Sequence, residues 1–169
     1  MHLTRPDPDA VRINPWLLGI FRAGVALLWI ENVQWKRPPD FGSLEKFTTF
    51  AVDYPVLAPW SWIVENLVLP NMTFFGWITI LTEASLGAFL LVGLLTRFWA
   101  LVGMVQTVAI TLSVLNAPHE WEWSYYLMFL AHLGLLATAA GRSVGLDGLL
   151  RPVWQASSSR LAPILLRLS

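Results

Sequence analysis

Residues 74–116 read FFGWITILTEASLGAFLLVGLLTRFWALVGMVQTVAITLSVLN, and this stretch holds only two charged side chains, Glu83 and Arg97. It divides at Thr96-Arg97 into two apolar segments. Each segment has close to the roughly 17–25 residues that a helix needs to cross the hydrocarbon core of a membrane. Because the connection between them is so short, the sequence predicts an antiparallel hairpin of two transmembrane helices, at residues 74–95 and 98–116.

Two further apolar runs, at residues 16–35 and 123–140, are also long enough to span. Apolar residues make up 56% of the 169-residue chain and charged residues 13%, about half the soluble average of roughly 25%. The ten tryptophans suit a protein with two membrane–water interfaces, where this side chain concentrates. We therefore predict an all-α integral membrane protein: a single four-helix bundle that forms one domain over residues 1–169.

The distribution of basic residues predicts the orientation of this bundle. With the N-terminus inside, one side receives seven arginines: Arg5, Arg12, Arg97, Arg142, Arg151, Arg160 and Arg167. The other side receives Lys36, Arg37 and Lys46. Loops rich in Lys and Arg face the cytoplasm, so we expect both termini on the cytoplasmic side. Residues 1–15 are polar and read as a surface leader.

Two shorter segments are expected at the membrane surfaces. The outer loop, residues 36–73, contains the apolar, proline-rich stretch YPVLAPWSWIVENLVLP. It predicts a short interfacial helix around Trp60–Leu69, which would form either a lid over the bundle or a wall of a lipid-ligand site. Residues 160–168 place four apolar side chains on one helical face, as in an amphipathic tail on the inner surface or a docking strip for a partner subunit.

The polar residues within the predicted spans are the candidate functional residues, because ionisable groups in the bilayer core usually face a bundle interior or a cavity. They are Arg22, Glu31, Glu83, Gln106 and His132. From a helical rise of about 1.5 Å per residue, Glu83, Gln106 and His132 are all expected roughly 12–15 Å from the outer ends of their helices, with Glu31 about 6 Å deep.

This arrangement supports two interpretations. In the first, Glu83, His132 and Glu31 handle protons for a bound quinone, since an imidazole titrates near neutral pH. The quinone would be the one cofactor, and the side chains expected around it are Trp60, Trp62, Trp77 and Gln106. In the second, Glu83 is satisfied by Arg22 or His132, and the cluster only holds the helices in register.

Other chemistry finds little support in the sequence. The absence of cysteine excludes disulfides and cysteine metal sites. The zero net charge gives no indication of nucleic acid as a partner. The run His119-Glu120-Trp121-Glu122 is typical of a solvated turn, so we predict no metal site.

Two motifs resemble those of the DoxX family, in particular the DoxD-like small subunit of thiosulfate:quinone oxidoreductase. The first is Glu83-x3-Gly87-AFLLVGLLTRFWALVG, which is similar to the family's second-helix glutamate and its GLLTR hairpin. The second is Gly141-Arg142-Ser143-x2-Leu146-Asp147, which resembles the family's ending after the fourth helix. The first helix fits as well, with Arg22, Gly24, Lys36 and the loop start Pro39-Asp40-Phe41. The chain departs from the family at Trp29–Trp35, which is bulkier and more polar than the glycine-containing stretch often found there.

The resemblance implies a subunit of the bacterial or archaeal cytoplasmic membrane that takes part in quinone-linked redox chemistry, surrounded by lipid and bound to other membrane or peripheral subunits. An accessory or assembly subunit without chemistry of its own is the alternative. A small transporter is less well supported, because the sequence shows no inverted repeat and no broken spanning helix.

Overall fold

The computed structural model describes residues 14–169, and every regular element in that range is a helix. Eight α-helices follow one another there: α1 Pro15–Val33, α2 Gly42–Asp53, α3 Ala58–Ile63, α4 Met72–Val92, α5 Thr96–Val114, α6 Glu122–Thr138, α7 Leu146–Ala156 and α8 Ala162–Leu168. Three helical segments are long and apolar enough to cross a membrane: Pro15–Val33, Ala58–Val92 and Thr96–Val114. The prediction of an all-α fold with apolar helices of membrane-spanning length is therefore confirmed for this part of the chain.

The long helices pack side by side in alternating directions. Lys36, at the end of α1, meets Glu83 in the middle of α4, whereas Arg22, near the start of α1, lies against Gly93 at the end of α4. The helices of the α4–α5 hairpin are antiparallel as predicted. Their rings Phe89 and Trp99 stack with centroids 4.8 Å apart beside the connecting turn.

The contact between α1 and α4 depends on a missing side chain. A Cβ atom at Gly87 would lie 2.6 Å from Cγ1 of Ile30, so only glycine lets the two helices approach so closely. Gly87 follows Glu83 by four residues, which places both on one face of α4. The buried core lies between α1, α4, α5 and α6, and its members include Val25, Ala26, Trp29, Leu86, Leu90, Ala100 and Leu135.

The predicted interfacial helix around Trp60–Leu69 is helical in the structure, but it is not a separate element. Helix α3 passes through a π turn at Val64–Val68 and a 3₁₀ turn at Leu69–Asn71 directly into α4. These turns accommodate Pro70, which cannot donate a backbone hydrogen bond inside a regular helix. The second span is consequently part of one continuous helical segment of 35 residues.

The fourth predicted span corresponds to α6, which has 17 residues. Such a helix is about 26 Å long, slightly short of a hydrocarbon core of about 30 Å. It packs antiparallel to α5, since His132 lies against Gly103 whereas the more N-terminal Tyr125 lies beside Thr107. The four-helix count and the orientation remain predictions. Arg5 and Arg12, on which the orientation partly depends, lie outside the described residues.

A buried carboxylate ties together the end of the bundle at the α4–α5 turn. Asp147 at the start of α7 is fully buried, and its two oxygens accept hydrogen bonds from the backbone N–H groups of Leu95 (2.6 Å) and Thr96 (2.9 Å). These are N-terminal donors of α5 that have no partner within the helix. The backbone N–H of Asp147 in turn donates to the Gly93 carbonyl at 2.8 Å. The two motifs that resemble the family are thus in direct contact.

Candidate functional site

Two deeply buried charges form an ion pair between α4 and the segment that follows α1. Nζ of Lys36 lies 2.6 Å from Oε2 of Glu83, and the two side chains are only 3% and 0% exposed. Lys36 reaches this position because the chain turns sharply after Val33, where its backbone N–H donates back to the Val33 carbonyl. Lys36, which the sequence analysis assigned to the outer side, therefore points into the bundle.

Further polar groups complete the surroundings of this pair. The Lys36 ammonium donates to the Asn32 carbonyl at 2.8 Å and lies 4.2 Å from the centre of the Trp35 ring. On the other side, Nε2 of Gln106 on α5 donates to Oε1 of Glu83 at 3.3 Å. Both carboxylate oxygens have a partner, which a charge in so apolar a setting requires. The predicted proximity of Glu83 and Gln106 is therefore observed. We refer to Asn32, Lys36, Glu83 and Gln106 as the ion-pair cluster.

His132 belongs to a different contact. Nε1 of Trp29 donates to Nε2 of His132 at 2.8 Å, and Nδ1 of the same ring lies 2.7 Å from the Met128 carbonyl. Since Nε2 accepts a hydrogen bond, Nδ1 must carry the proton and donate it to that carbonyl. The ring is fully buried against Gly103, where a Cβ atom would overlap it. Both nitrogens are occupied by the protein, so His132 joins α1 to α6 and makes no bond to Glu83.

Arg22 does not reach Glu83 either, although such a pair was one of the alternatives considered from sequence. Its guanidinium points to the end of the bundle at the α4–α5 turn, where Nη2 donates to the Val144 carbonyl at 2.6 Å. The side chain is 4% exposed and lies over Gly93 and Gly145. Arg22 therefore anchors the loop after α6, and Lys36 takes the place beside Glu83 that had been expected for Arg22 or His132.

The other residues predicted for the site lie on α1, α3 and α4 and are spread apart. Glu31 is exposed on α1. Trp60 donates from Nε1 to the hydroxyl of Ser113 at 3.0 Å and so joins α3 to α5. Trp62 is 65% exposed, and Trp77 is about half exposed with its ring edge-on to Phe41. The structure does not gather these four side chains around Glu83.

Two cavities of the described residues lie away from the ion-pair cluster. One is an open groove of about 560 Å³ between Trp16 on α1 and Leu149 on α7. The other is an apolar cavity of about 190 Å³ between α5 and α6, lined by Thr107 and Tyr125 among others. It is smaller than the roughly 300–1,000 Å³ typical of ligand sites. Glu83, Lys36 and His132 are all in polar contact with other groups of the protein: the first two with each other, and His132 with Trp29 and Met128.

Sequence reasoning missed Lys36, Asn32 and Trp29 as members of these buried contacts. The sequence did contain evidence that Lys36 could pair with Glu83. It lies just beyond the first span, and a single buried carboxylate such as Glu83 needs a cation within reach. No comparable signal marks Trp29, because a tryptophan at an apolar helix position looks the same whether or not its N–H has a partner.

Comparison with known families gives one match. Residues 45–167 match the family described as TQO small subunit DoxD. The chain belongs to the DoxD family. No curated protein and no solved structure matches the chain.

The family match extends over most of the candidate site. Glu83, Gln106, His132 and Asp147 lie inside residues 45–167. Helix α1 lies outside the matched range, together with Lys36 and Trp29, the partners of Glu83 and His132. The Lys36–Glu83 and Trp29–His132 contacts of this DoxD-family chain therefore join a matched helix to a part of the chain outside the matched range.

Proposed function

We propose that this chain is a membrane subunit of a quinone-linked oxidoreductase that works with other protein subunits. The observation that carries the proposal is membership of a family described as the TQO small subunit, TQO being thiosulfate:quinone oxidoreductase. The long apolar helices support a place in the membrane. In this proposal α6 is the fourth spanning helix, both termini face the cytoplasm of a bacterium or archaeon, and the broader kinship is with DoxX proteins.

Within this chain, the ion pair is the residue pair best suited to hold a proton away from water. A buried acid and base in contact can exist as a charged pair or, after transfer of one proton between Nζ and Oε2, as a neutral pair. Neither form adds net charge to the membrane interior. The Glu83 carboxyl is accordingly our candidate for proton handling. His132, with both ring nitrogens engaged, is the positioning residue that holds α1 against α6, and Glu31 is the candidate link to outer water.

A second candidate function is favoured by the closed state of the cluster. A quinone site within the chain would need an opening to lipid with Glu83 or His132 on its wall, and neither residue lines the groove beside α7 or the cavity between α5 and α6. An accessory subunit, in which the pair only fixes the register of α1 on α4, needs no such opening. The quinone head would then be bound by another subunit or at the contact with it.

The experiment is purification of the full chain from native membranes in a mild detergent, followed by mass spectrometry of co-purifying proteins and extracted quinone. The oxidoreductase proposal expects a co-purifying redox subunit, with quinone near one equivalent per complex. Glu83→Gln should lower quinone occupancy or quinone reduction while the complex stays assembled. Glu65→Gln, at an exposed glutamate of the same helical segment, is the matched control and should change neither.

Two other outcomes separate the candidates. A complex that contains quinone but responds to neither variant assigns the quinone to another subunit and supports the accessory role. A chain purified without any redox partner and without quinone contradicts the proposed function itself.

A further inference from the structure

The segment after α6 carries a concentration of positive charge at the inner end of the bundle. Residues 139–169 contain four arginines and one carboxylate, Asp147. That carboxylate is buried and uses both oxygens on the start of α5, so it offers no surface charge. Arg97 at the start of α5 adds a fifth cation, since Nη1 of Arg97 donates to the Arg167 carbonyl.

These arginines also fold α8 back onto α7. Nε and Nη2 of Arg142 both donate to the Ser169 carbonyl, at 3.0 and 2.7 Å, and Nη1 of Arg151 donates to the Leu166 carbonyl at 2.8 Å. Burial, and then repulsion from Arg151 and Arg97, lower the pKa of Arg142, although a guanidinium stays charged at any physiological pH. The cations are close enough to repel one another, and no acidic side chain at the surface of residues 139–169 offsets them.

An apolar face adjoins this charge. Leu149 and Val153 of α7, four residues apart on one helical face, are 72% and 62% exposed. Leu161, immediately before α8, and Ile164 on α8 are 63% and 53% exposed. A helix with one apolar face beside a row of cations is the arrangement that lies in the headgroup region of an anionic bilayer.

A groove opens between this face and the bundle. It measures about 560 Å³ and is lined by apolar side chains with a polar end: Trp16, Val92, Leu146 and Leu149 on the apolar part, and Arg142 and Ser143 on the polar part. The wall at Val144 and Gly145 is held by the buried guanidinium of Arg22. The groove is therefore preformed, with space for hydrocarbon beside a charged donor.

We propose that this groove and the exposed face of α7 and α8 bind an anionic phospholipid of the surrounding membrane. The acyl chains lie along Trp16 and Leu149, and the phosphate with its second anionic or hydroxylic headgroup lies at Arg142 and Ser143. Arg160 contributes to the positive field from the exposed start of α8. The two parts of the surface match the two parts of one ligand, which is why a lipid fits it better than a soluble anion or an apolar peptide.

The test is native mass spectrometry of the full chain, stripped of lipid in detergent and titrated separately with phosphatidylglycerol and phosphatidylcholine of identical acyl chains. Phosphatidylglycerol should bind with at least about fivefold higher affinity, because one cation near an anionic surface contributes about 1 kcal/mol. Arg142→Gln should remove most of that preference. Leu149→Ser should lower the affinity for both lipids while the preference persists.

Matched variants keep the test decisive. Arg142 also holds α8, so Arg160→Gln provides a second charge variant at an exposed position, expected to reduce the preference without unfolding. Arg37→Gln and Trp121→Ala, exposed positions on the outer side, should leave both affinities unchanged. Equal affinities for the two lipids in the unmodified chain would overturn the proposal, as would an equal loss in the outer-side variants. Neither result bears on quinone or redox partners, so this proposal and the proposed function can fail independently.

Discussion

The ion pair between Lys36 and Glu83 makes the sharpest prediction, because both charges are at most 3% exposed and their atoms are 2.6 Å apart. Lys36→Met leaves the Glu83 carboxylate buried with only the Gln106 amide beside it. Breaking a buried pair by removing one partner costs about 3–5 kcal/mol, since an uncompensated charge remains. Glu83→Gln keeps the shape and the bond to Gln106 but leaves the ammonium unpaired. We expect a loss of similar size.

The double variant should be far less damaging than the sum of the single ones. With Lys36→Met and Glu83→Gln together, no charge remains at the site, and such neutral replacements are often without net cost. The expected coupling energy is therefore at least about 3 kcal/mol. A solvent-exposed pair would give only about 0–1 kcal/mol, so the size of the coupling reports burial directly.

The assay is equilibrium unfolding by sodium dodecyl sulfate in mixed micelles, followed by the fluorescence of the ten tryptophans. Lys46→Met and Glu45→Gln, both at exposed positions, are the matched controls and should each change the free energy of unfolding by no more than about 0.5 kcal/mol. Additive effects of Lys36→Met and Glu83→Gln, with a coupling energy below about 0.5 kcal/mol, would refute the buried pair.

Two other contacts can be tested in the same unfolding assay. Asp147→Ala should cost about 2–4 kcal/mol, because two N–H groups at the start of α5 lose their acceptor in a buried setting; the exposed Asp53→Ala is the control. Gly103→Ala should cost about 1–3 kcal/mol by overpacking against the His132 ring. Gly24→Ala, with nothing within 4 Å of the new methyl group, should be neutral or stabilising by up to about 1 kcal/mol.

Each of these comparisons has an outcome that contradicts the geometry. An Asp147→Ala variant as stable as Asp53→Ala would mean that α5 does not depend on a cap from α7. Equal effects of alanine at Gly103 and Gly24 would mean that α6 does not approach α5 as closely as the structure shows.

The spanning helices could be predicted because their signal is local. The run expected at residues 16–35 is observed as Pro15–Val33, and the run expected at 98–116 as Thr96–Val114. Helices α2 and α7 were not predicted, because they lack such a local signal. They have 12 and 11 residues, too few to span, and their mixed composition makes no long apolar run. Pro70 would be expected to interrupt a regular helix, yet the π turn before it lets the helical segment continue.

The candidate site could be predicted only in part. Depth along a helix follows from counting residues, so the sequence could predict that Glu83 and Gln106 lie at one level. The two side chains are in contact. The sequence could not predict the rotation of each helix about its axis or the path of the chain beyond α1. These determine that Lys36 rather than Arg22 pairs with Glu83, and that His132 bonds to Trp29.

Composition and apolar run length were thus enough to establish a helical membrane protein and to locate its three longest helices, because the cost of exposing polar backbone to hydrocarbon acts on each segment separately. The partner of each buried polar group depends on how the helices pack, which the sequence alone does not show. Asp147 meets the start of α5 from 51 residues further along the chain, and a contact of that range leaves no trace in local periodicity. Both ends of the contact had to be placed in space before either could be understood.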